Sequence, residues 1–321
     1  MDVREVPLEI IDLEDLTYRI SEDLDPAPIE RSLRAVGQLN PVILGARRES
    51  APLVVCGFRR LRALRRIGRT RCLARFLPPE TAGPLSAIRV ALWDNIAQRP
   101  LEILEKARVL STLKHLCSVS QEELVEHYLP ILGLEAHKNV LHSYLSLHLL
   151  DPDLKKLLAQ GALPTASAER LAGMSPSVQT GVATLLARAR FSASLLRRTL
   201  DLAADLAAIG ECGIEDLLAR TEVVARLNDA SLSSFQRGEA VFKVLYRKRN
   251  PSLTAAEDRF EAGKSRLGLP GSVRLSPDPF FEQPRIRVEF EAGSADAFRE
   301  ASAALERAAR GAVLDELFRV R

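Results

Sequence analysis

Residues 54–76 read VVCGFRRLRALRRIGRTRCLARF, and this stretch decides the fold of the first part of the chain. A β-branched run ends at Gly57, and a segment with helical spacing begins at Phe58. A strand, a glycine and a helix in immediate succession predict a tight turn that places the start of the helix beside the end of the strand. Eight arginines and no acidic residue occupy the stretch, so it also carries a local positive charge.

The segment that follows Gly57 is amphipathic. At 100° per residue, one side of the helix holds Leu61, Leu64 and Ile67, and the opposite side holds Arg59, Arg62 and Arg66. Arg60 falls near the apolar side, where an unpaired guanidinium is costly to bury, so it needs a partner or a ligand. Free N–H groups and the positive end of the helix dipole, beside guanidinium groups, suit a phosphate. A solvated basic face, a nucleic-acid patch and a phosphate site are all compatible with this pattern.

The composition describes a helix-rich globular chain. It has 321 residues, enough for two or three domains, with 46% hydrophobic, 5% aromatic and 27% charged residues. No apolar run approaches the roughly 18 residues of a membrane span, and the acidic start is unlike a signal peptide, so we expect a cytoplasmic protein. The net charge of +3 is too small to indicate nucleic-acid binding by itself. The four cysteines lack metal-type spacing and are expected to be reduced packing residues.

Three regions differ in their patterns. Residues 1–98 mix short helices, one of which ends at Gly37, with predicted strands at 3–13, PVILG, PLVVCG and RCLARFLP. PVILG and PLVVCG are expected to pair, joined by a turn at 46–51. This mixture predicts an α+β domain. Residues 99–247 have 3.6-residue periodicity almost throughout and predict an all-α domain. The polar stretch 247–253 predicts a linker. Residues 253–321 predict a helix, two strands and a last amphipathic helix, which bury little alone and favour pairing with a second copy.

Three segments resemble, in order and spacing, the three conserved boxes of ParB-type partition proteins. They are GQLNPVIL (37–44), VVCGFRRLRALRRIG (54–68) and WDNIAQRPLEILEKA (93–107), against the family forms G-x-x-x-P-I-x-V, G-E-R-R-x-R-A and E-N-I-Q-R-x-x-L-x-x-x-E-x-A. SVSQEELVEHY (118–128) and residues 149–174 are similar to the helix-turn-helix region of that family. The resemblance implies a ParB/sulfiredoxin-like α+β domain, an all-α domain with a helix-turn-helix, and a small ββα dimerisation domain at the C-terminus.

The resemblance also implies a ligand for the α+β domain. In the family this domain binds CTP with Mg²⁺, and the nucleotide closes a protein clamp around DNA. Carried over to this sequence, the nucleotide-binding residues are Arg19, Gly37, Gln38, Pro41, Gly57, Phe58, Arg59, Arg60, Arg62, Asn95 and Arg99. Of these, Asn95 is also the implied ligand of the metal.

The sequence departs from the family pattern at two acidic positions. Phe58 stands where G-E-R-R has its glutamate, and Asp94 stands where a glutamate precedes N-I-Q-R. Phosphoryl transfer to water needs groups that position the water and tolerate the charge of the metal. We therefore expect weak or absent CTP hydrolysis, with Asp94 as the catalytic candidate, and a nucleotide-dependent binding switch rather than an efficient enzyme.

Other enzymatic functions lack their residues. The α+β domain also resembles sulfiredoxin, whose signature is Gly-Cys-His-Arg, but with Gly57 aligned to that glycine Phe58 occupies the nucleophile position and Cys56 lies on the wrong side of the turn. A kinase on the same scaffold needs the carboxylate that is missing at 58. There is no G-x-S-x-G, Walker loop or H-E-x-x-H motif, and His137 and His142 do not share a helix face, so we expect no histidine metal site.

The helical region contains a candidate for DNA contact. QEELVEHY (121–128) is the predicted supporting helix, and residues 135–150 form the predicted recognition helix, which reads bases with short polar and basic side chains. The candidate DNA-binding residues are Gln121, Lys138, Asn139, His142 and Ser143. The connection LPILGL is longer than the usual tight turn, and a packing helix with a solvated polar face is the alternative.

The leading hypothesis is a ParB-like homodimer that binds DNA as a CTP-gated clamp in DNA partition or nucleoid organisation. The alternative is a ParB-derived transcriptional regulator, or a plasmid or phage accessory protein, without nucleotide control. Members of the family engage a partition ATPase through a basic N-terminal segment. This sequence begins almost at its first predicted strand, which makes such an ATPase a doubtful partner.

Overall fold

The computed structural model describes residues 2–22, 25–45, 51–78, 83–210, 212–279 and 281–318. The chain divides into two compact units, Met1–Ala183 and Thr184–Arg321. The mixture of strands and helices, with helices in the majority, confirms the α+β and mainly helical character expected from the sequence. The division into three domains at 98 and 247 stays a prediction, and the predicted turn at 46–51 lies almost wholly outside the described residues.

A four-stranded sheet forms the first half of unit 1. Its strands are β1 (Val3–Pro7), β2 (Val42–Gly45), β3 (Leu53–Cys56) and β4 (Arg71–Phe76). In the order β1-β4-β2-β3, the outer strands are antiparallel to their neighbours, and β2 is parallel to β4. The pairing of β2 with β3 confirms the sequence prediction.

The first strand is shorter than predicted. β1 ends at Pro7, and a single 3-10 turn follows at Leu8–Ile10 instead of further strand. Asp12 then accepts hydrogen bonds from the backbone N–H groups of Glu14 and Asp15, which closes a turn. The apolar alternation up to residue 13 instead buries Leu8, Ile11 and Leu13 against the sheet.

Three helices accompany the sheet. They are α1 (Ala27–Val36), α2 (Phe58–Arg66) and α3 (Pro84–Ile96). α1 ends at Gly37, where φ is +72° and the N–H donates to Leu33 O, as the sequence predicts for a C-terminal glycine. Leu61 and Leu64 of α2 are buried against the sheet, so its arginines are left on the half-buried and exposed sides.

Helices make up the rest of unit 1. They are α4 (Ile103–His115), α5 (Gln121–Glu123), a π-helical segment (Leu124–Tyr128), α6 (Leu129–Ile131), α7 (Lys138–Leu147), α8 (Pro152–Ala159) and α9 (Thr165–Ala172). The next helix, α10 (Pro176–Arg188), contains the boundary between the units. The predicted supporting helix is therefore a composite of α5 and the π-helical segment. The use of this region as a DNA-binding helix-turn-helix stays a prediction.

Unit 2 continues with helices and a two-stranded sheet. They are α11 (Ala193–Gly210), α12 (Ile214–Leu218), α13 (Thr221–Leu227), α14 (Ser234–Arg249), α15 (Pro251–Arg266), β5 (Val273–Pro277), β6 (Ile286–Phe290), α16 (Ala295–Ala309) and α17 (Ala312–Phe318). The two strands β5 and β6 were predicted, and the structure shows that they pair antiparallel. The prediction of a linker at 247–253 is wrong, since only Asn250 separates α14 from α15. Pro251 is tolerated because it takes the first position of its helix.

We expect Leu44→Ala to lower the free energy of unfolding of unit 1 by about 2–5 kcal/mol, because Leu44 is fully buried in β2. Leu39→Ala is the matched control, since Leu39 is 74% exposed and its loss should change that free energy by less than about 0.5 kcal/mol. Trp93 is the single tryptophan and lies in unit 1, so its fluorescence in a denaturant titration reports this unit. Equal effects of the two substitutions would contradict the described core.

Candidate functional site

A cleft opens at the carboxyl end of β3, where the start of α2 and the end of α3 meet the segment 18–21. It encloses about 140 Å³. Its lining residues are Tyr18, Ile20, Ser21, Ile29, Val55, Cys56, Gly57, Phe58, Arg59, Arg60, Asp94, Asn95, Gln98 and Arg99. Two of the three conserved-box segments of the sequence thus meet in one recess.

Gly57 allows this recess to form. Its φ is +100°, a left-handed conformation that side chains disfavour, and a Cβ at this position would lie 2.7 Å from Cγ1 of Val42 on β2. α2 begins at the next residue, and Gly57 at its N-cap position has no side chain to cap the first N–H groups. The helix therefore presents its first-turn N–H groups and the positive end of its dipole at the cleft, an arrangement that favours an anion.

Arg60 has partners in the structure, as its position near the apolar side required. Its Nη1 donates to Pro41 O at 3.3 Å. Burial lowers the pKa of the guanidinium, and the nearby carboxylate of Asp94 opposes that effect. Arg59 lies beside it in the lining, and its Nε donates to Asp25 O at 3.2 Å. The cleft therefore holds two guanidinium groups at the start of one helix.

The cysteine in the cleft is not an activated thiol. Burial raises the pKa of Cys56, and both the negative charge of Asp94 and a hydrogen bond to its carboxylate raise it further. A nucleophilic cysteine requires the opposite shift, toward the thiolate. The direction of the shift in pKa keeps the Cys56 thiol protonated.

Arg99 and Glu105 form a bidentate ion pair at the edge of the cleft. Nη1 and Nη2 of Arg99 donate to the two carboxylate oxygens of Glu105 at 2.7 and 2.6 Å, and Nη2 also contacts Ser21 Oγ at 3.3 Å. Burial alone raises the pKa of Glu105, but the hydrogen bonds from Arg99 and from the backbone of Glu102, with the charge of Arg99, outweigh burial and leave the pKa lowered. The carboxylate is therefore held ionised inside the protein.

The structure brings together seven of the residues that the sequence analysis selected. Gly57, Phe58, Arg59, Arg60, Asp94, Asn95 and Arg99 line the cleft. The Phe58 side chain is only 8% exposed and packs in the core on the sheet. The Nδ2 of Asn95 donates to Ala91 O of its own helix at 2.8 Å.

The other five nucleotide candidates do not line the cleft in the described structure. Gly37 ends α1, and Pro41 contributes its carbonyl to Arg60. Gln38 pairs with the backbone of Leu73, donating to its O and accepting from its N–H, both at 2.7 Å. Arg62 and Arg19 interact electrostatically with each other. Their roles in ligand binding stay predictions.

Part of the lining was missed by the sequence analysis. Tyr18, Ile20 and Ser21 come from an irregular segment outside the three boxes, in which the resemblance had selected only Arg19. Only the fold, which lays this segment beside α3, assigns them to the cleft. Tyr18 and Ile20 are buried, so they fix the segment in place.

The candidate DNA-binding residues lie around α7. Lys138, Asn139 and His142 are exposed on that helix, Ser143 is half-buried there, and Gln121 is exposed at the start of α5. The buried side of α7 is formed by Leu141 and Leu147. In the described residues, no group of three His, Cys, Asp or Glu side chains is arranged to hold a metal ion. No described helix combines the length and apolar character that a membrane-spanning segment needs.

The chain is similar in sequence to curated bacterial proteins. It is 25% identical over 183 residues to a probable chromosome-partitioning protein ParB of Pseudomonas putida, covering 56% of this chain and 59% of that protein. The protein of the same name in Vibrio cholerae is 24% identical over 184 residues, covering 56% of this chain and 60% of that protein. The one in Coxiella burnetii is 26% identical over 181 residues, covering 54% of this chain and 58% of that protein. The chain therefore spans about three fifths of the length of these relatives. The resemblance to ParB-type partition proteins is confirmed, although no protein-family model matches the chain.

Solved structures of ParB proteins are also similar. One is a C-terminally truncated ParB of Caulobacter crescentus complexed with CTP-gamma-S, with 21% identity, a TM-score of 0.26, and coverage of 58% of this chain and 99% of that one. Another, of the same truncated protein complexed to the centromeric parS site, has 20% identity and a TM-score of 0.33, and covers 56% and 91%. A Pnob8-like ParB-N domain has 15% identity and a TM-score of 0.36, and covers 77% and 97%.

We expect unit 1 to lose stability as the pH falls below about 5, in part through Glu105. A carboxyl group whose folded pKa lies below its ordinary value of 4.5 stabilises the folded state above that value, and this contribution disappears as the pH falls through the folded pKa. Glu105→Gln should lower the free energy of unfolding by about 1–3 kcal/mol at pH 7 and flatten this acid dependence, measured by Trp93 fluorescence. Glu9→Gln, at an exposed position, is the control and should leave the profile unchanged.

Proposed function

We propose that this chain is a DNA-binding protein of the ParB type, whose first unit binds CTP in the cleft at Gly57. The proposal rests above all on one observation, the start of α2 at a left-handed glycine with Arg59 and Arg60 in its first turn. The same residues belong to the segment 54–68, which resembles a conserved box of that family. The similarity of the relatives named chromosome-partitioning protein ParB supports the DNA partition role.

The triphosphate suits the chemistry of the cleft. Backbone N–H groups at the start of a helix and guanidinium forks are the donors that phosphate oxygens accept from most readily. The positive charges of Arg59 and Arg60 are opposed in the lining by the carboxylate of Asp94, while Glu105 neutralises Arg99, so the described cleft keeps a net positive charge. A polyanion gains from this imbalance more than a neutral ligand does.

A magnesium ion fits beside the triphosphate. Mg²⁺ in nucleotide sites takes one or two protein oxygens together with phosphate oxygens and water. Asp94 and Asn95 supply such oxygens at the end of α3; because the amide nitrogen of Asn95 is used within the helix, its ligand atom would be the amide oxygen. The ion would neutralise phosphate charge and orient the chain of phosphates.

We expect binding without efficient hydrolysis. The side chain of Phe58 is buried in the core and offers no group to a water molecule. Asp94 is the remaining acid of the lining, and its carboxylate is already hydrogen-bonded to the Cys56 thiol. CTP would then act as a ligand that shifts the population toward a closed dimer, through tighter binding to that state.

The proposed dimer uses the last strands and helices of unit 2. On β6 and α16, Val288 is 47% exposed and Phe298 is 54% exposed, and the rings of Phe290 and Phe298 are in contact with centroids 5.5 Å apart. Exposed aromatic and β-branched side chains grouped on one surface mark a protein interface. A second copy that buries this surface would supply the core that two strands and a helix lack.

One observation favours a second function, a DNA-binding regulator without nucleotide control. Arg99 is fully engaged by Glu105 and Ser21, and Asn95 by its own helix, so two of the implied nucleotide-binding side chains are satisfied within the protein. In that case the ion pair of Arg99 is structural, and the fold and DNA contacts are kept while ligand control is lost. Nucleotide binding separates the two functions directly.

We expect saturable CTP binding in the presence of Mg²⁺, weakened about tenfold or more in Arg60→Ala, because an anion loses a charge-assisted hydrogen bond at the cleft. Arg65→Ala is the matched control, since Arg65 is exposed in the last turn of the same helix. Calorimetry measures the affinities, and a phosphate-release assay should show little turnover. Absence of binding to the parent protein would support the regulator without nucleotide control, and equal loss in both variants would contradict binding of the nucleotide at Arg60.

We expect Lys138→Ala to weaken binding to duplex DNA at every sequence tested and to reduce the slope of log affinity against log salt by about 1, if Lys138 contacts a phosphate. Lys264→Ala, a lysine paired with Glu261 in unit 2, serves as the control for a general loss of charge. Fluorescence anisotropy at several salt concentrations measures both quantities. An unchanged salt slope in Lys138→Ala would show that α7 is a packing helix.

A further inference from the structure

A second concentration of positive charge lies in unit 1, outside the lining of the cleft. We name it the basic cluster, formed by Arg19, Arg108, His148 and Lys155. Arg19 belongs to the segment before α1, Arg108 to α4, and Lys155 to α8, while His148 follows α7. Four separate elements therefore bring three permanent cations and a histidine together.

Among the described residues, the carboxylate that contacts this cluster directly is that of Glu22. Nε and Nη2 of Arg108 donate to Glu22 Oε1 at 3.0 and 2.6 Å, and Nη2 of Arg19 lies 3.6 Å from Glu22 Oε2. Lys155 Nζ donates to the backbone O of His148 at 2.7 Å, so its contact there is with a neutral group. Asp151 also attracts Lys155, more weakly than Glu22 does. Among the described residues, Arg19 and Arg108 therefore share one directly contacting carboxylate, that of Glu22.

The pKa shifts of Arg19 and Lys155 reflect the repulsion among these cations. Burial lowers the pKa of Arg19, and repulsion by Arg108 lowers it further against the attraction of Glu22. Burial likewise lowers the pKa of Lys155, Glu22 opposes the effect, and repulsion by Arg108 and Arg19 adds to it. The Nε of Arg19 is buried and has no hydrogen-bond partner in the described structure. Cations that repel one another and a donor without an acceptor are both relieved by an added anion.

The shape of the cluster limits the size of that anion. The side chains of Arg19 and Arg108 are only 17% and 19% exposed, and that of Glu22 is 27% exposed. Guanidinium groups this far buried remain accessible to a small ion, whereas a duplex backbone needs its cations on an open surface. Arginine forks and a lysine ammonium are together the usual donors to phosphate oxygens.

We propose that Arg19, Arg108 and Lys155 form a binding site for a small phosphate-type dianion, separate from the cleft at Gly57. The anion accepts hydrogen bonds from the three side chains and competes with Glu22 for Arg108. The site lies next to the cleft, because Tyr18, Ile20 and Ser21 line the cleft while Arg19 and Glu22, from the same segment, face the cluster. A bound anion at the cluster and a ligand in the cleft would therefore act on one segment, and any coupling between them would be reciprocal.

The test compares two adjacent lysines in the full chain. Lys155→Gln removes a cluster cation, whereas Lys156→Gln removes an exposed lysine that pairs with Asp153 outside the cluster. Inorganic phosphate is titrated at constant ionic strength in chloride, with ³¹P line broadening as the direct readout and the shift in thermal unfolding followed by Trp93 fluorescence as the second. We expect saturable binding in the parent and in Lys156→Gln, and binding about tenfold weaker or more in Lys155→Gln.

A third variant moves the affinity in the opposite direction and guards against loss of folding. Glu22→Gln removes the competing carboxylate, so we expect phosphate to bind several-fold more tightly than to the parent protein. No saturable phosphate binding in the parent, or equal affinities for Lys155→Gln and Lys156→Gln, would overturn the proposal.

A second arm separates a free anion from a nucleic-acid phosphate as the source. Random-sequence duplex DNA is titrated against the parent, Lys155→Gln and Lys156→Gln, with and without phosphate. We expect equal DNA affinities for the two variants and no displacement of bound phosphate by the duplex. Weaker DNA binding in Lys155→Gln alone, with no phosphate binding to the parent, would assign the cluster to the DNA backbone and overturn the small-anion site. The CTP titration of Arg60→Ala is independent of both arms.

Discussion

The close approach of β2 to the turn at Gly57 is the constraint on which the cleft depends. A side chain of β2, Val42, occupies the space that a Cβ on Gly57 would need, and the glycine adopts a conformation that other residues disfavour. The helix α2 consequently starts at the very end of β3, with no irregular connection between them. Any larger residue would move the start of the helix, and with it Arg59 and Arg60, away from the end of α3. The placement of these two arginines at the recess therefore depends on one backbone position.

Two carboxylates hold the surroundings of the cleft in place within unit 1. Glu105 of α4 accepts hydrogen bonds from Nη1 and Nη2 of Arg99, and Glu22 accepts hydrogen bonds from Arg108, which also belongs to α4. The segment that contains Tyr18 and Ser21 is fixed between these pairs, although it has no regular structure of its own. Charge-assisted, bidentate contacts in partly buried surroundings impose a definite geometry, which apolar packing alone would leave less constrained. In the same arrangement Arg19 shares the Glu22 carboxylate with Arg108, so the ion pairs that position the segment also belong to the basic cluster.

Local sequence pattern was sufficient for the elements of the first unit that depend on neighbouring residues. The pairing of β2 with β3, the end of α1 at Gly37 and the turn at Gly57 follow from β-branched runs and glycines, which act within a few residues of themselves. The pattern failed where a longer-range contact decided the outcome. The run 3–13 alternates like a strand, but only five of its residues find partners in β4, and the apolar remainder packs on the sheet from a turn. At 247–253, polar composition indicated a linker, yet Pro251 merely begins a second helix.

The sequence by itself determined the chemistry available to the cleft. Gly57, the arginines of α2 and the Asp94–Asn95 pair are recognised as residue types at fixed spacing. The replacement of a glutamate by Phe58 is recognised in the same way. Only the tertiary structure decided which of these side chains are free to act. It engages Arg99 with Glu105, ties Gln38 to the backbone of Leu73, and buries Phe58 in the core. It also places Tyr18, Ile20 and Ser21, which lie outside the three boxes, in the lining. The physical reason is that charge and backbone preference are local properties of a residue, whereas burial and hydrogen-bond partners depend on contacts between residues far apart in the chain.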